Sequence, residues 1–523
     1  MLIATADGSA DFDARVLQLP GTLPVILPIC RELRIAQLVD HFCPMKQGEH
    51  LTHGQVAELV ILHLLQSEHR LPLYRLEEWA ERQNMQVLYD HPPERFNDDR
   101  VRRSLEAIAE RIAEIETAVV SQALHRYQIA ARTIHWDLTH VNFAGAHEGS
   151  ELIRKGYGAG RINERQLQVS LHVTSEGGLP VRHETLPGNV HQAPLAPRLL
   201  RDLQARLPGS DLIVVSDRAG ISYDNIEDYR RAQAHFLGPL QISDPAHREQ
   251  LGGVAPEQFE PLRYRSMNQP DDAYAGYPTR LQLQPQGRRA PLATAALFVH
   301  SDRLQRQQTE QRARRLQRAT ERLGEIQGML NTRRYARADY AAGQLAKAVP
   351  AGLQGLVCYE LSGADGALEL RFGTDPEALA AAARSDGRYI LVHDLPDDPT
   401  PDQVFELYRR QGVIEQRHRN FHSDLAVHPL WLQDDRRIEA LLLLFVLALM
   451  VYTILELCSV RAGLTTERYH KMTARELLWV FGIARVKQLL VNGKVAQQEF
   501  LLSADQEYVL GQLGFPDPSK YLQ

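Results

Sequence analysis

The chain has 523 residues, 44% hydrophobic and 24% charged, which is enough apolar sequence for two or three packed domains and excludes a long disordered polymer. With 59 Lys and Arg against 65 Asp and Glu the formal charge is -6, so the chain is not a globally basic nucleic-acid binder and phosphate contacts must come from local patches. Cys30, Cys43, Cys358 and Cys458 form neither a CxxC pair nor a dense framework, which predicts a reducing, cytoplasmic setting and excludes a disulfide scaffold or a zinc cluster.

The N-terminus, MLIATADGSADFDARVL, carries acidic residues and lacks a basic-then-apolar leader, so no export is expected. From Leu19 to Ala123 apolar residues recur three and four apart in LRIAQLVDHF, HGQVAELVILHLLQSE and VRRSLEAIAERIAEIETAVVSQAL. Pro-bearing breaks, HRLPLY and DHPPERF, separate these pieces, and the pattern predicts an all-helical N-terminal domain over 1–125 without clean helix-turn-helix spacing.

At Thr133 the period changes to that of strands. A strand around TIHWDLTHVNF leads through the turn GYGAGR to QLQVSLHVT, then through SEGGLP to VRHETL. PGNVHQAP, a helix near PLAPRLLRDLQARL and the apolar strand DLIVVSD follow. Three hairpin-linked strands, a helix and a buried strand predict an α/β, RNase H-like core of a mixed sheet flanked by helices, over 126–242 and 385–460.

Residues 243–384 depart from that pattern and read as an inserted α+β subdomain. They hold a Pro- and Gly-punctuated strand region, then a charged helix, Asp302 to Met329, with Leu316, Leu323 and Leu330 spaced by sevens. Its arginines, Arg312, Arg314, Arg315, Arg318 and Arg322, fit phosphate contacts, but the interspersed Glu310, Glu321 and Glu325 equally fit a solvated or coiled-coil helix. The core resumes with GRYILVHD and one helix, TPDQVFELYRRQGVIEQRHRNFH. The uncharged run Ala440 to Leu455, bounded by Glu439 and Glu456, is shorter than the roughly 20 residues of a membrane span and predicts a buried core helix. The tail, 461–523, is expected to be helical.

Three acids stand out. Asp137 is mid-strand, with His135 and Thr139 on its side and Ile134, Trp136 and Leu138 on the other. A carboxylate there is either an edge-strand residue or one whose burial is relieved by a partner or a metal. Asp217 ends the strand LIVVS, where α/β sheets gather ligands, although an Asp there also caps helices. Glu415 lies on a helix with Tyr408, Gln411, Arg419 and His422 at spacings of four and seven, a face suited to a metal ligand among phosphate contacts or to a solvated stripe. Two strand carboxylates and a helical one can converge on a pair of divalent metals that accept oxygen ligands.

The segments WDLTHVNFAG, GYGAGR, GGLPVRHETLPGN, LIVVSDRAGIS and YRRQGVIEQRHRNFHSDL resemble those of DDE insertion-sequence transposases of the Tyr-Arg-Glu-Lys subgroup. The resemblance spans Arg132 to Glu456, and LPLYRLEEWA and FNDDRVRRSL resemble the leader domain of one branch, a region for DNA-end binding or dimerisation. It implies that Asp137, Asp217 and Glu415 are the catalytic acids and metal ligands, holding two Mg2+ ions with Mn2+ able to substitute. The separation of the second and third acids, 415 − 217 = 198 residues, matches the family habit of inserting a β-rich subdomain there. Tyr408, Arg409, Arg410, Arg417, Arg419 and His422 would contact DNA, with Gln411 where Arg is usual and His422 where Lys is usual. The implied partners are double-stranded DNA, as terminal inverted repeats and target, and a second copy of the chain, in a bacterial cytoplasmic protein with no membrane association. A metal nuclease of the same core without strand transfer, an inactive DNA-binding relative and, more remotely, a two-metal phosphatase are the rivals.

Overall fold

The computed structural model describes residues 12–66, 71–143, 145, 147–158, 161–190, 203–204, 211–266, 269–285, 289–426, 432–465 and 472–522. Two compact units emerge: unit 1 comprises Met1–Val215, Ala232–Ala234 and Arg410–Gln523, and unit 2 comprises Ser216–Arg231 and His235–Arg409.

Unit 1 opens with strand β1 (Phe12–Pro20) and the helices α1 (Leu23–Glu32), α2 (Ile35–Phe42), α3 (His53–Leu64), α4 (Leu76–Arg82), α5 (Gln86–Tyr89), α6 (Asp98–Ala109) and α7 (Ile112–Arg126). Local chemistry sets the starts: Thr52 and Gln55 form a capping box on α3, and the Asn97 side chain accepts the Arg100 amide to cap α6. Then come β2 (Thr133–Asn142), β3 (Arg154–Gly158), β4 (Arg161–Thr174), β5 (Pro180–Pro187) and β6 (Ile213–Ser216), in the order β3-β4-β2-β6 with β5 also paired to β4. The β4–β5 turn requires glycine, since Gly177 and Gly178 sit at φ +70° and +66°. These strands are the part of the sheet that the sequence places in the expected core over 126–242. The helix expected at Pro194–Leu207 lies, apart from Leu203 and Gln204, outside the described residues, as do parts of the GYGAGR and PGNVHQAP turns.

Unit 2 contains α8 (Tyr223–Arg231), β7 (His235–Pro239), α9 (Pro245–Gly253), β8 (Glu260–Pro261), β9 (Tyr274–Leu283), β10 (Leu292–Ser301), α10 (Asp302–Met329) and α11 (Ala338–Ala348). The hairpin β11 (Val357–Ser362) and β12 (Glu369–Thr374), then α12 (Pro376–Ala383), β13 (Arg388–His393) and α13 (Pro401–Arg409) complete it. Its strands follow the order β7-β13-β10-β9-β8. The expected boundary at 384 therefore moves: β10 pairs directly with β13, so the first half of the expected insertion extends the sheet instead of forming a separate body. The seven-spaced leucines of α10 do not form a coiled coil. Leu323, with Ala319 and Ile326, packs against Leu345, Leu353 and Leu370, and Leu316 and Leu330 flank this core of the subdomain.

The chain re-enters unit 1 with α14 (Gly412–Arg419), α15 (Asp435–Arg461), α16 (Ala474–Val480), β14 (Ile483–Val491), β15 (Lys494–Leu501) and α17 (Ala504–Leu513). Helix α15 is the hub. Its most apolar 18-residue stretch is 94% buried, and α1, α3, α6, α7 and β5 pack around it, as expected of a core helix rather than a span. Two expectations are corrected here. The helices of 1–125 share the core of α15, so no separate all-helical domain ends at 125. The tail is not all helix: β14 pairs with β15 and, along its whole length, with β1. Alternation in β14, with Ala484, Val486 and Leu490 buried and Arg485 and Lys487 exposed, is the physical reason.

Candidate active site

Asp137 is half-buried on β2, at register with Leu171 of β4, and its Oδ1 accepts the Leu138 amide at 2.8 Å. The same face of β2 is covered by α14 and the turn after it. His135 Nδ1 lies 3.1 Å from Gln411 Oε1, His418 Nδ1 lies 3.7 Å from Asp137 Oδ2, and Thr139 Oγ1 lies 2.6 Å from His422 Nε2. Strand residues two apart thus meet helix residues seven and four apart, the two periods that keep one side of each element facing the other. Glu415 falls on this helical stripe, four after Gln411 and three before His418, and is exposed.

Burial keeps both imidazoles neutral. It pushes His418 down to about 3, with His422 and His140 adding repulsion, and pushes His135 down to about 4. The His418–Asp137 approach is therefore a contact of an uncharged ring with a carboxylate, not an ion pair. Among the described residues, His135 Nε2 and His418 Nε2 are buried without hydrogen-bond partners.

Asp217, in unit 2, follows β6 and caps the short turn Arg218–Gly220, its Oδ1 accepting the amides of Ala219 at 3.0 Å and Gly220 at 3.3 Å. Burial raises its carboxyl above the usual range, and those two amides and Arg218 oppose the rise. Among the described residues no group of three or more His, Cys, Asp and Glu side chains is arranged to hold a metal ion. By donor chemistry each of the three acids offers carboxylate oxygen, the ligand type that a hard divalent cation takes.

The expected DNA contacts divide. Arg410 and Arg419 are exposed, and Arg419 donates to Gln416. Arg417 turns inward, a correction: it donates to Gly177 O at 2.9 Å, Gly178 O at 3.2 Å and Asn420 Oδ1 at 2.9 Å, and pairs with Glu456 at 2.7 Å. Arg409 lies over the rings of Tyr264 and Tyr274, and Tyr408 packs near Tyr389. His422 is spent on Thr139. The single helix expected from Thr400 to His422 is two, broken at Arg410–Gln411. Sequence reasoning put His135 on the Asp137 side of the strand but missed His418, although its spacing of three from Glu415 carried the signal.

A family model described as a transposase DDE domain matches residues 134–451. One described as a domain of unknown function (DUF4277) matches residues 16–119. No curated protein matches. Among solved structures, a piggyBac transposase synaptic complex with hairpin DNA is similar at 10% identity and a TM-score of 0.38, over 88% of this chain and 78% of that one. A Mos1 transposase paired-end complex with left transposon end is similar at 15% identity and a TM-score of 0.15, over 40% of this chain and 63% of that one.

Proposed function

The chain belongs to the transposase DDE-domain family, whose model covers more than half of it, and on that premise we propose that Asp137, Asp217 and Glu415 are its catalytic acids. The observation that carries this reading is the seating of α14 on the Asp137 face of β2, which assigns Asp137 and Glu415 to packed elements within the matched region. The three carboxylates would hold two divalent cations, Mg2+ or Mn2+, which when bound neutralise developing charge on phosphate and make water or a DNA 3′-hydroxyl a better nucleophile. The chain's own part is placement. Gln411, His418 and His422 fix the helix against the strand, so both acids keep their orientation, and the exposed Arg410 and Arg419 offer charge to the DNA backbone. The substrates are double-stranded DNA, first the element's terminal repeats and then the target, handled by a pair of chains.

Oligonucleotides carrying the inverted repeats that flank the coding region test this. In Mg2+ or Mn2+ the wild type should nick at the repeat and join the freed 3′ end to a target duplex. Asp137→Asn, Asp217→Asn and Glu415→Gln should each lose at least roughly 100-fold in cleavage rate while binding the repeat normally in EDTA. Wild-type cleavage by any of the three would refute its assignment.

A further inference from the structure

In unit 2 a cavity of about 400 Å³ is walled by α9, α10, the segment Gly352–Leu356 and the α12–β13 connection, and four arginines reach it: Arg248, Arg312, Arg315 and Arg388. The one acid on its wall, Asp386, is already engaged, because Arg312 grips both of its oxygens and the Thr309 hydroxyl donates to it at 3.1 Å. Arg388 is likewise fixed, donating to the carbonyls of Leu251 and Val254 and stacking on Phe259 at 4.7 Å. Arg248 and Arg315 differ. Both are exposed, neither makes an ion pair among the described residues, and Arg248 donates only one long bond, 3.3 Å, to Ile242 O.

Gln308, Gln311, Arg312 and Arg315 recur at three, one and three residues along α10, so one helical stripe of donors faces the cavity. Gly352 makes room for it, since a Cβ there would sit 2.7 Å from the Arg315 guanidinium. The wall carries a formal charge of about +3, four arginines less one aspartate, in a chain whose total is -6. Like charges gathered against a negative background repel one another, and a multiply charged anion bridging them relieves that repulsion.

We propose that this cavity seats backbone phosphates of duplex DNA, gripped by Arg248 and Arg315 with the amides of Gln308 and Gln311 as further donors. The inference rests on the transposase reading for the identity of the polyanion. Guanidinium forks suit phosphate oxygens, and contacts of this kind position a duplex without reading its sequence.

The test is binding of the full-length protein to a labelled duplex lacking terminal repeats, in EDTA, across a salt series. The double variant Arg248→Gln/Arg315→Gln should bind about tenfold more weakly at moderate salt and lose roughly two from the log–log salt slope. Arg314→Gln, on the same helix but paired with Glu310, serves as the control and should leave both unchanged. An unaltered slope in the double variant, at unaltered melting temperature, overturns the proposal, as does an equal loss in the control. If inorganic phosphate or pyrophosphate raises the melting temperature of wild type alone while DNA binding is the same in both proteins, the cavity serves a small phosphate and the DNA assignment fails. Cleavage of repeat-bearing DNA in Mg2+ by wild type and double variant is scored separately, so failure of this proposal is distinguishable from failure of the transposase reading.

Discussion

Asp217 caps a turn and is also a proposed metal ligand, and one atom separates the two roles. As a cap it needs an acceptor oxygen for the amides of Ala219 and Gly220, and as a metal ligand it needs charge. Asp217→Asn keeps the acceptor, so melting should change little while cleavage is lost; Asp217→Ala should also cost about 1 kcal/mol of stability, read by chemical denaturation. His53 gives a second single-residue prediction, away from the acids. It is wedged against Arg100 and Ser104, and burial with the Arg100 charge pushes it down to about 4. The unfolded chain takes up a proton near pH 6.5 that the folded one refuses, so this contribution is complete above pH 6.5 and is lost as pH falls toward 4. His53→Gln should remove up to roughly 3 kcal/mol of that pH dependence, seen as a flatter melting-temperature profile between pH 7 and pH 4.5. Asp217 was legible in the sequence, since a carboxylate closing the run LIVVS marks a strand end. The neutral His135 and His418 were not, because a histidine's burial depends on what another element lays over it.

At the scale of elements, α14 owes its seat to an arginine. Ile414 and Arg417 are its buried residues, Phe421 continues their stripe in the turn that follows, and Arg417 ties the helix to the carbonyls of the β4–β5 turn and to Glu456 of α15. Arg417→Met should cost about 3–5 kcal/mol by stranding Glu456, and adding Glu456→Leu should restore much of the loss. Equal stability of the single and double variants would show that the pair is not coupled. In the sequence Arg417 read as one of several DNA-facing arginines, and charge alone could not say otherwise. The spacing could: Ile414, Arg417 and Phe421 lie three and four apart, an inward stripe with an arginine in the middle. The break at Arg410–Gln411 was hidden for the opposite reason, as polar and apolar residues keep nearly the same rhythm on both sides of it.

For whole units, the apolar helix α15 decides where the chain can be cut. The run from Leu441 to Leu455 is buried on every side, and helices from the first 126 residues supply much of the cover. Expression of residues 126–523 alone should therefore yield insoluble material, whereas a soluble, monomeric fragment with a cooperative melt would show that those helices are dispensable. Hydropathy announced the buried helix clearly. It could not say that the cover comes from the N-terminal segment, because periodicity identifies a face that must be hidden and is silent about what hides it. The same limit explains the tail, where the period-2 pattern of β14 was present but its partner lay at the other end of the chain.

That partnership has a consequence for how the molecule is made. Phe12 pairs with Val491, 479 positions later (491 − 12), so β1 leaves the ribosome long before the strand that completes it. Until then its backbone donors and acceptors are an open edge, the kind of surface that invites misassembly. A message broken before β14 is translated yields a chain whose first strand never finds its mate, a substrate for quality-control proteases even when residues 134–451 have been made in full.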